Sequence, residues 1–265
     1  MRFWTLASGS KANATLVEAG GTRVLIDCGL GPRILAKRLH EVGVAPASID
    51  ALIVTHEHID HIKGIAQAVA KWHWPVLATR GTLGGIAGLP QERQHALAYG
   101  KAKAIGDCVV ELVPVPHDAT QPAAVVITSV RTGVRVGVST DLGHVPEHLG
   151  AAFERIDFLV FESNHDEAML RNGPYPPFLQ ARIASDTGHL SNRQSGELLA
   201  RVAHKGLRAV LLAHLSQQNN EPKVALDAAK AVLKRTAFKG SLACASQDVV
   251  TWPGTSRGGQ IELGL

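Results

Sequence analysis

Six consecutive residues in the stretch ALIVTHEHIDHIKGI hold three histidines, one glutamate and one aspartate. They follow an apolar run, so the cluster stands at the end of a predicted strand. His56 and His58 are two residues apart in extended backbone, so their side chains project to one side and reach one cation, while Glu57 points away. Asp60 and His61 follow where the chain turns into a helix, displaced enough to hold a second cation. The alternative is a polar helix entry in which histidines cluster by chance, but the spacing favours two adjacent metal ions.

Three further candidate ligands stand where other predicted strands end. His117 follows VPVP, Asp141 follows VGVST, and His214 closes RAVLLAH. Taken singly, each has a structural alternative, because the histidines are compatible with hydrogen-bonded core residues and Asp141 with a cap of the turn at DLG. The repeated placement at strand ends predicts that all three complete a dinuclear site.

The elements that position these residues are predicted from apolar periodicity. Short apolar runs predict strands at 3–7, 16–19, 23–28, 51–55, 109–115, 124–130, 134–139, 158–162, 209–214 and 242–245. Apolar residues at three- and four-residue spacing predict helices at 32–42, 62–72, 193–203 and 222–233. Residues 166–188 show no clean pattern and are predicted to form a long surface loop or short helices. The mixture predicts an α/β fold with two sheets packed face to face and helices outside.

Composition limits the class of protein. The chain has 265 residues with 45% hydrophobic content, and we predict one domain over residues 1–265. No apolar run is long enough to span a bilayer and the N-terminus has no signal-peptide pattern, which predicts a soluble cytoplasmic protein without a membrane partner. The three cysteines are far apart and form no CxxC pattern, so neither a disulfide framework nor a cysteine metal site is expected.

The charge favours a polyanionic partner, though weakly. The formal net charge is +4, and Lys11, Arg171, Arg182 and Arg193 are candidate phosphate contacts. The alternative is an ordinary solvated basic surface. Aromatic residues make up only 5% of the chain, so no aromatic-rich basic stripe is predicted.

The motifs together resemble the metallo-β-lactamase superfamily, whose hallmark is HxHxDH after a strand. Asp27 in LIDCG and the order of the remaining motifs match as well, over nearly the whole chain. The resemblance implies an αββα metallo-β-lactamase sandwich with the site at one edge. The stretches LASGSKANAT, FESNHD, GHLSN and LAHLSQQNN look like the YycJ (WalJ) branch of exonuclease-like hydrolases, which is similar to ribonuclease Z and the PhnP phosphodiesterases.

Carried over residue by residue, the resemblance assigns the ligands. One metal would be held by His56, His58 and His117, the other by Asp60, His61 and His214. Asp141 would bridge the two, and Asp60 is also assigned a catalytic role. The cofactors are predicted to be two divalent metal ions, zinc or manganese.

The resemblance to ribonuclease Z also implies a proton-transfer pair outside the ligand set, Glu162 and His189. The structural alternatives are that Glu162 hydrogen-bonds a loop and that His189 caps the helix after Leu190. His165 and Asp166 in the same stretch are a second candidate pair.

The predicted function is phosphodiester hydrolysis of nucleic acid, DNA or RNA, in the manner of a 5′ exonuclease that uses a hydroxide bridging two metals. The short interval between His117 and Asp141 leaves no room for the tRNA-gripping arm of ribonuclease Z. One alternative is a small-molecule phosphodiesterase. Another is a thioesterase or lactam hydrolase, although glyoxalase-type thioesterases use a C-terminal helical domain and this chain ends in the strand-like LACASQDVVTW and QIELGL. A third is a regulatory module that binds metal or nucleic acid without turnover.

Overall fold

The computed structural model describes residues 1–252, which fold as two compact units. Within that range, unit 1 comprises Met1–Pro114, Ala119–Val134 and Ser246–Trp252, and unit 2 comprises Val115–Asp118 and Arg135–Ala245. The prediction of a single domain stays a prediction. The strand-like QIELGL lies outside the described residues.

Unit 1 is built on a six-stranded sheet. Its strands, in spatial and chain order, are β1 (Arg2–Ala7), β2 (Ala14–Ala19), β3 (Thr22–Ile26), β4 (Ala51–Ile53), β5 (Val76–Ala78) and β6 (Gln94–Ala96). The pairs β1–β2 and β2–β3 are antiparallel, and β3 to β6 pair in parallel. Three more strands of this unit form an antiparallel ladder: β7 (Lys103–Ile105), β8 (Cys108–Pro114) and β9 (Ala123–Ser129).

The helices of unit 1 cover its apolar core. They are α1 (Pro32–Glu41), α2 (Ile59–Ile62), α3 (Ile65–Trp72) and α4 (Arg80–Gly84), with 3-10 turns at Pro46–Ser48 and Gln91–Arg93. Helix α3 buries Ile65, Ala68 and Val69, whose spacing of three and four places them on one face. The fully buried Trp74 donates its indole N–H to the carbonyl of Pro46 at 2.9 Å, which satisfies its polar atom inside the core.

Unit 2 contains a run of parallel strands with helical connections. The strands are β10 (Arg135–Ser139), β11 (Phe158–Glu162), β12 (Ala209–Ala213) and β13 (Ser241–Cys244), each paired with the next. The helices are α5 (Glu147–Ala152), α6 (Glu167–Asn172), α7 (Pro177–Ile183), α8 (Asn192–Val202) and α9 (Pro222–Leu233). Strand β12 is buried at every residue, as expected for a parallel strand covered on both faces.

The predicted α/β class is confirmed, and every predicted strand has a counterpart in the structure. Residues 166–188 form the short helices α6 and α7, which was one of the two expectations. The predicted helix at 62–72 was wrong in its start, because α2 and α3 are separate and Asp60 and His61 lie within α2. Gly64 lies between them, where a Cβ would meet the carbonyl oxygen of Leu30 at 1.9 Å, so this close approach requires glycine.

No helix within residues 1–252 combines the length and the apolar character needed to cross a bilayer. The cytoplasmic location inferred from the sequence stays a prediction.

Candidate metal centre

The HxHxDH residues lie close together in unit 1, in the loop after β4 and in α2. The ring centroids of His56 and His58 are 4.7 Å apart, and those of His56 and His61 are 4.1 Å apart. Asp60 places Oδ2 3.4 Å from Nε2 of His61. We call these four residues the unit 1 cluster.

Glu57 points away from the unit 1 cluster, as the alternation of extended backbone predicts. Its Oε1 accepts hydrogen bonds of 2.6 Å from both the backbone N–H and the hydroxyl of Thr120. Its role in this structure is therefore to attach the loop to the residues before β9.

Asp27 orients His61 in the unit 1 cluster. Its Oδ1 accepts the backbone N–H of Thr55 at 2.8 Å, and its Oδ2 is 2.8 Å from Nδ1 of His61. A carboxylate at Nδ1 favours the tautomer that carries its proton there, which leaves Nε2 as the candidate ligand atom. Asp27 has a φ of 60°, a conformation that non-glycine residues seldom adopt and that is concentrated at functional sites. Sequence reasoning found Asp27 as part of a motif and missed this positioning role.

Asn13, in the loop between β1 and β2, also contacts the unit 1 cluster. Its Nδ2 donates to Oδ2 of Asp60 at 3.1 Å and lies 3.0 Å from Nε2 of His61. The SGSKAN segment therefore contacts two of the candidate ligands, Asp60 and His61.

Unit 2 brings together four donor residues, three from the carboxyl ends of parallel strands and one from the loop before α8. Asp141 follows β10, Glu162 ends β11, His214 follows β12, and His189 precedes α8. One ligand atom from each lies within 4.8 Å of the others. Asp141 and His214 both have positive φ, 62° and 54°, which is the strained backbone expected where side chains must converge. We call these four residues the unit 2 cluster.

Glu162 contacts both histidines of the unit 2 cluster. Its Oε2 accepts the backbone N–H groups of Leu142 and Leu190, each at 3.1 Å. Its Oε1 lies 2.8 Å from Nδ1 of His189 and 3.1 Å from Nδ1 of His214. The alternative that Glu162 hydrogen-bonds a loop therefore holds for Oε2, while Oε1 contacts the two histidines.

Glu162 and His189 each shift the pKa of the other. Burial alone raises the pKa of Glu162, but the charge and hydrogen bond of His189 outweigh it, and the net pKa lies below its usual range. Burial likewise lowers the pKa of His189, but Glu162 and then Asp141 outweigh it, and the net pKa is raised. The helix-capping alternative for His189 was wrong, because Ser191 caps α8 and forms a capping box with Gln194.

His117, also in unit 2, is held by its neighbours on both sides of the imidazole. Its Nδ1 is 3.1 Å from the carbonyl oxygen of Gly188, and its Nε2 is 3.3 Å from Oδ1 of Asp118. Arg182 donates to Asp118 at 2.6 Å. The ring of His117 lies 5.4 Å from that of His189.

The second candidate pair, His165 and Asp166, is not part of either cluster. The Asp166 side chain accepts the backbone N–H groups of Ala168 and Met169, so it caps α6. His165 lines a separate cavity of unit 2.

The chemistry of the donors fits divalent metal ions. Both clusters combine imidazole nitrogens with carboxylate oxygens, and such mixed sets bind first-row divalent cations. Four of their histidines, His56, His61, His189 and His214, have a hydrogen-bond partner at Nδ1, which leaves Nε2 for a metal in the manner of metal-binding imidazoles.

Comparison with known proteins adds sequence and fold relatives. Residues 22–215 match the model of the beta-lactamase superfamily domain. The exodeoxyribonuclease YycJ of Bacillus anthracis is 32% identical over 242 residues, covering 90% of this chain and 91% of that one. The exodeoxyribonuclease WalJ of Streptococcus pneumoniae serotype 2 (strain D39) is 31% identical over 230 residues, covering 84% and 85%.

A solved structure shows the same fold. The metallo-beta-lactamase fold protein YhfI from Bacillus subtilis superimposes with a TM-score of 0.72 over 95% of this chain and 99% of that chain, at 18% identity. The metallo-β-lactamase fold expected from the HxHxDH motif is therefore confirmed.

Proposed function

This chain belongs to the beta-lactamase superfamily, and from that premise we propose that it is a dinuclear-metal-dependent phosphodiesterase that degrades nucleic acid from a 5′ end. The observation that carries the proposal is the unit 2 cluster, in which a buried carboxylate holds an imidazole beside two metal-type donors. The names of the relatives that cover most of the chain, both exodeoxyribonucleases, favour DNA as the polymer.

The proposed metal ligands are the seven residues predicted from the sequence: His56, His58, Asp60, His61, His117, Asp141 and His214. The superfamily resemblance implies that they form one dinuclear centre, and the donor chemistry of each cluster fits metal binding. Zinc and manganese both suit such ligands. When bound, the cations lower the pKa of coordinated water and neutralise charge on the phosphodiester.

Asp60, Glu162 and His189 are the proposed catalytic residues. Glu162 binds Nδ1 of His189 at 2.8 Å, so the proton that His189 can transfer is the one on Nε2. In this role His189 donates a proton to the leaving oxygen, and Glu162 holds the ring in place and stabilises its protonated form. The backbone hydrogen bonds to Glu162 keep the pair fixed relative to β11 and α8.

Helix α7 supports a nucleic-acid substrate. Phe178 is 76% exposed, although an aromatic ring is normally buried, and exposed aromatic rings stack on bases of single strands. Arg182, one turn further along, is exposed and bound to Asp118. Of the four candidate phosphate contacts, Arg182 and Arg193 have acidic partners that the sequence did not indicate, whereas Arg171 has no ion pair with any residue in 1–252.

The test is hydrolysis of end-labelled single- and double-stranded DNA and RNA by protein reconstituted with zinc or with manganese. Stepwise shortening from a 5′ end is expected, with one metal and one polymer preferred. Asp60→Ala should abolish it, whereas the matched exposed variant Asp227→Asn should not. Polymer cleavage that persists in Asp60→Ala, or hydrolysis only of S-lactoylglutathione or a chromogenic cephalosporin, contradicts the proposal.

A further inference from the structure

A cavity of about 460 Å³ lies within unit 2, apart from the donor atoms of the unit 2 cluster. Its walls come from α6, from α7, from the first turn of α8 and from the loop after β11. Sites for small organic ligands have volumes of roughly 300–1,000 Å³, so this cavity is large enough for one nucleotide-sized group.

One wall of the cavity is apolar. Helix α7 contributes Pro177 and Ala181, and Ala184 directly follows its last residue; the three are four and three residues apart and therefore lie on one face. Leu170 of α6 adds a buried apolar side chain. Flat apolar surfaces of this kind pack against a planar ring system.

His165 also lines the cavity, and its buried ring has no hydrogen bond to any described residue. The residue is 2% exposed, and its Nδ1 is a buried atom without a partner. Burial lowers the pKa of His165 to about 4, an effect that the charge of Glu162 only partly offsets, so the ring is neutral at pH 7. A neutral imidazole offers one donor and one acceptor, which matches the edge of a heterocyclic base.

The charges along the cavity are unequal. The carboxylate of Glu167 accepts a hydrogen bond from the hydroxyl of Ser191 at 3.0 Å and another from the guanidinium of Arg193 at 2.9 Å. A phosphate is disfavoured next to this carboxylate. Arg171, on the last turn of α6, lines the cavity without an ion pair in residues 1–252, so the free positive charge is elsewhere on the wall.

Backbone contacts connect this cavity to the unit 2 cluster. His165 and Ser191 form a parallel β-bridge, and Asn164 donates its backbone N–H to the carbonyl of Leu190 at 3.0 Å. The Asn164 side chain donates to the carbonyl of His214 at 2.9 Å. A group bound in the cavity is thus held by the same loops that carry Glu162 and His189.

We propose that this cavity binds the nucleoside of a terminal substrate nucleotide, with the base between the α7 wall and His165 and the phosphate on the Arg171 side. The inference rests on the proposed function, because it names the part of the nucleic acid that the site recognises. Contacts with the α7 wall and one imidazole recognise a nucleobase but distinguish little among the four bases.

The first test is calorimetric titration of the full-length, metal-loaded protein with thymidine 5′-monophosphate and with inorganic phosphate. We expect the nucleotide to bind about tenfold more tightly than phosphate, and this preference to fall in His165→Ala and in Ala181→Leu. Ala181 is exposed, so the larger side chain narrows the cavity without disturbing the core. Arg201→Ala, on the same unit but away from the cavity, should keep the preference.

The second test compares two esters with the same leaving group, thymidine 3′-(p-nitrophenyl phosphate), which joins the nucleoside to the scissile phosphate through its 3′ oxygen as in a 5′-terminal nucleotide, and methyl p-nitrophenyl phosphate. The ratio of their kcat/KM values should fall about tenfold in Ala181→Leu, through KM, and stay constant in Arg201→Ala. Equal binding of nucleotide and phosphate by the wild type, or unchanged preferences in both cavity variants, overturns the inference. Hydrolysis of neither ester by the wild type contradicts the proposed function alone, since the titration still decides whether the cavity binds a nucleoside.

Discussion

Glu162 determines what His189 can do. Both oxygens of this buried carboxylate are engaged by backbone N–H groups or imidazole nitrogens, so it cannot turn away from the histidine. His189 is 22% exposed, and in the proposed mechanism its second ring nitrogen, Nε2, faces the substrate. A fixed carboxylate and a partly exposed imidazole form a general-acid arrangement, because the carboxylate favours the protonated ring.

The residue-scale prediction concerns the leaving group. His189→Ala should lower kcat on DNA by about 100-fold or more, because the departing alkoxide needs a proton. The loss should be much smaller on a p-nitrophenyl ester, whose leaving group departs without one. Steady-state rates of wild type and variant on both substrates give this comparison.

His95→Ala is the matched control, since His95 is an exposed histidine of β6 in unit 1. Equal losses on both substrates in His189→Ala would show that His189 does not act as an acid and only maintains the structure of the unit 2 cluster.

The candidate ligands were predictable because they follow a local rule. The HxHxDH spacing and the placement of His117, Asp141 and His214 after apolar runs are visible in one dimension. The partners that orient the ligands are not, since Asp27 and Asn13 reach His61 only after β1, β3 and β4 have been assembled. Their contacts depend on strand register, which no short stretch of sequence contains.

At the scale of elements, an ion-pair network joins the first three strands of unit 1. Glu18 of β2 stands opposite Arg2 of β1 and Arg23 of β3 in the sheet register. Glu18 binds both arginines, at 2.9 Å for Arg23, and its side chain is 8% exposed. Burial raises the pKa of Glu18, but the hydrogen bonds and charges of the two arginines outweigh it and lower the net pKa.

Glu18→Gln should therefore destabilise the protein by about 1–3 kcal/mol at pH 7, because a buried carboxylate loses its charge-assisted hydrogen bonds to the two arginines while the shape is kept. Denaturant unfolding at constant ionic strength measures the difference. Asp227→Asn, which removes an exposed pair with Lys223, should leave the unfolding midpoint unchanged.

The difference in stability between the wild type and Glu18→Gln should depend on pH. Since folding lowers the pKa of Glu18, its stabilisation is present above the unfolded value of about 4.3 and is lost as the pH falls through the folded value. The unfolding curves of wild type and Glu18→Gln should converge in acid. A constant difference down to the lowest pH at which both fold would show that packing, not charge, accounts for the effect.

Long elements were predicted better than short ones, for a physical reason. Helix α9 and strand β11 have the predicted bounds, because α9 is long enough to show a helical period and β11 is a continuous apolar run between polar segments. Strands β5, β6 and β7 have three residues each and show none, so they were missed. The break between α2 and α3 was missed because it depends on the contact of Gly64 with Leu30, a residue distant in sequence.

At the scale of the whole molecule, the division of residues 1–252 into two units was not predictable from the sequence. Unit 1 takes in Ala119–Val134 and Ser246–Trp252 as well as the first part of the chain. No change in composition marks the positions after Pro114, Asp118 and Ala245, where the chain passes from one unit to the other. The network of Arg38 illustrates why, since its guanidinium binds the carbonyls of Leu6 and Gln247, which are 241 residues apart in numbering.

The last prediction concerns the effect of the proposed metal ions on the stability of the whole chain. A cation that binds the native chain and not the unfolded one stabilises it by mass action, by about 2.7 kcal/mol at a free metal concentration 100 times Kd. Chelation should therefore lower the thermal midpoint, and added zinc or manganese should restore it in a concentration-dependent way. His58→Ala removes one proposed ligand and should greatly weaken that restoration, whereas His95→Ala should keep it. If chelation leaves the thermal midpoint of the wild type unchanged, the result would contradict metal binding by these residues. If added metal restores the midpoint equally in both variants, only His58 would be removed from the ligand set.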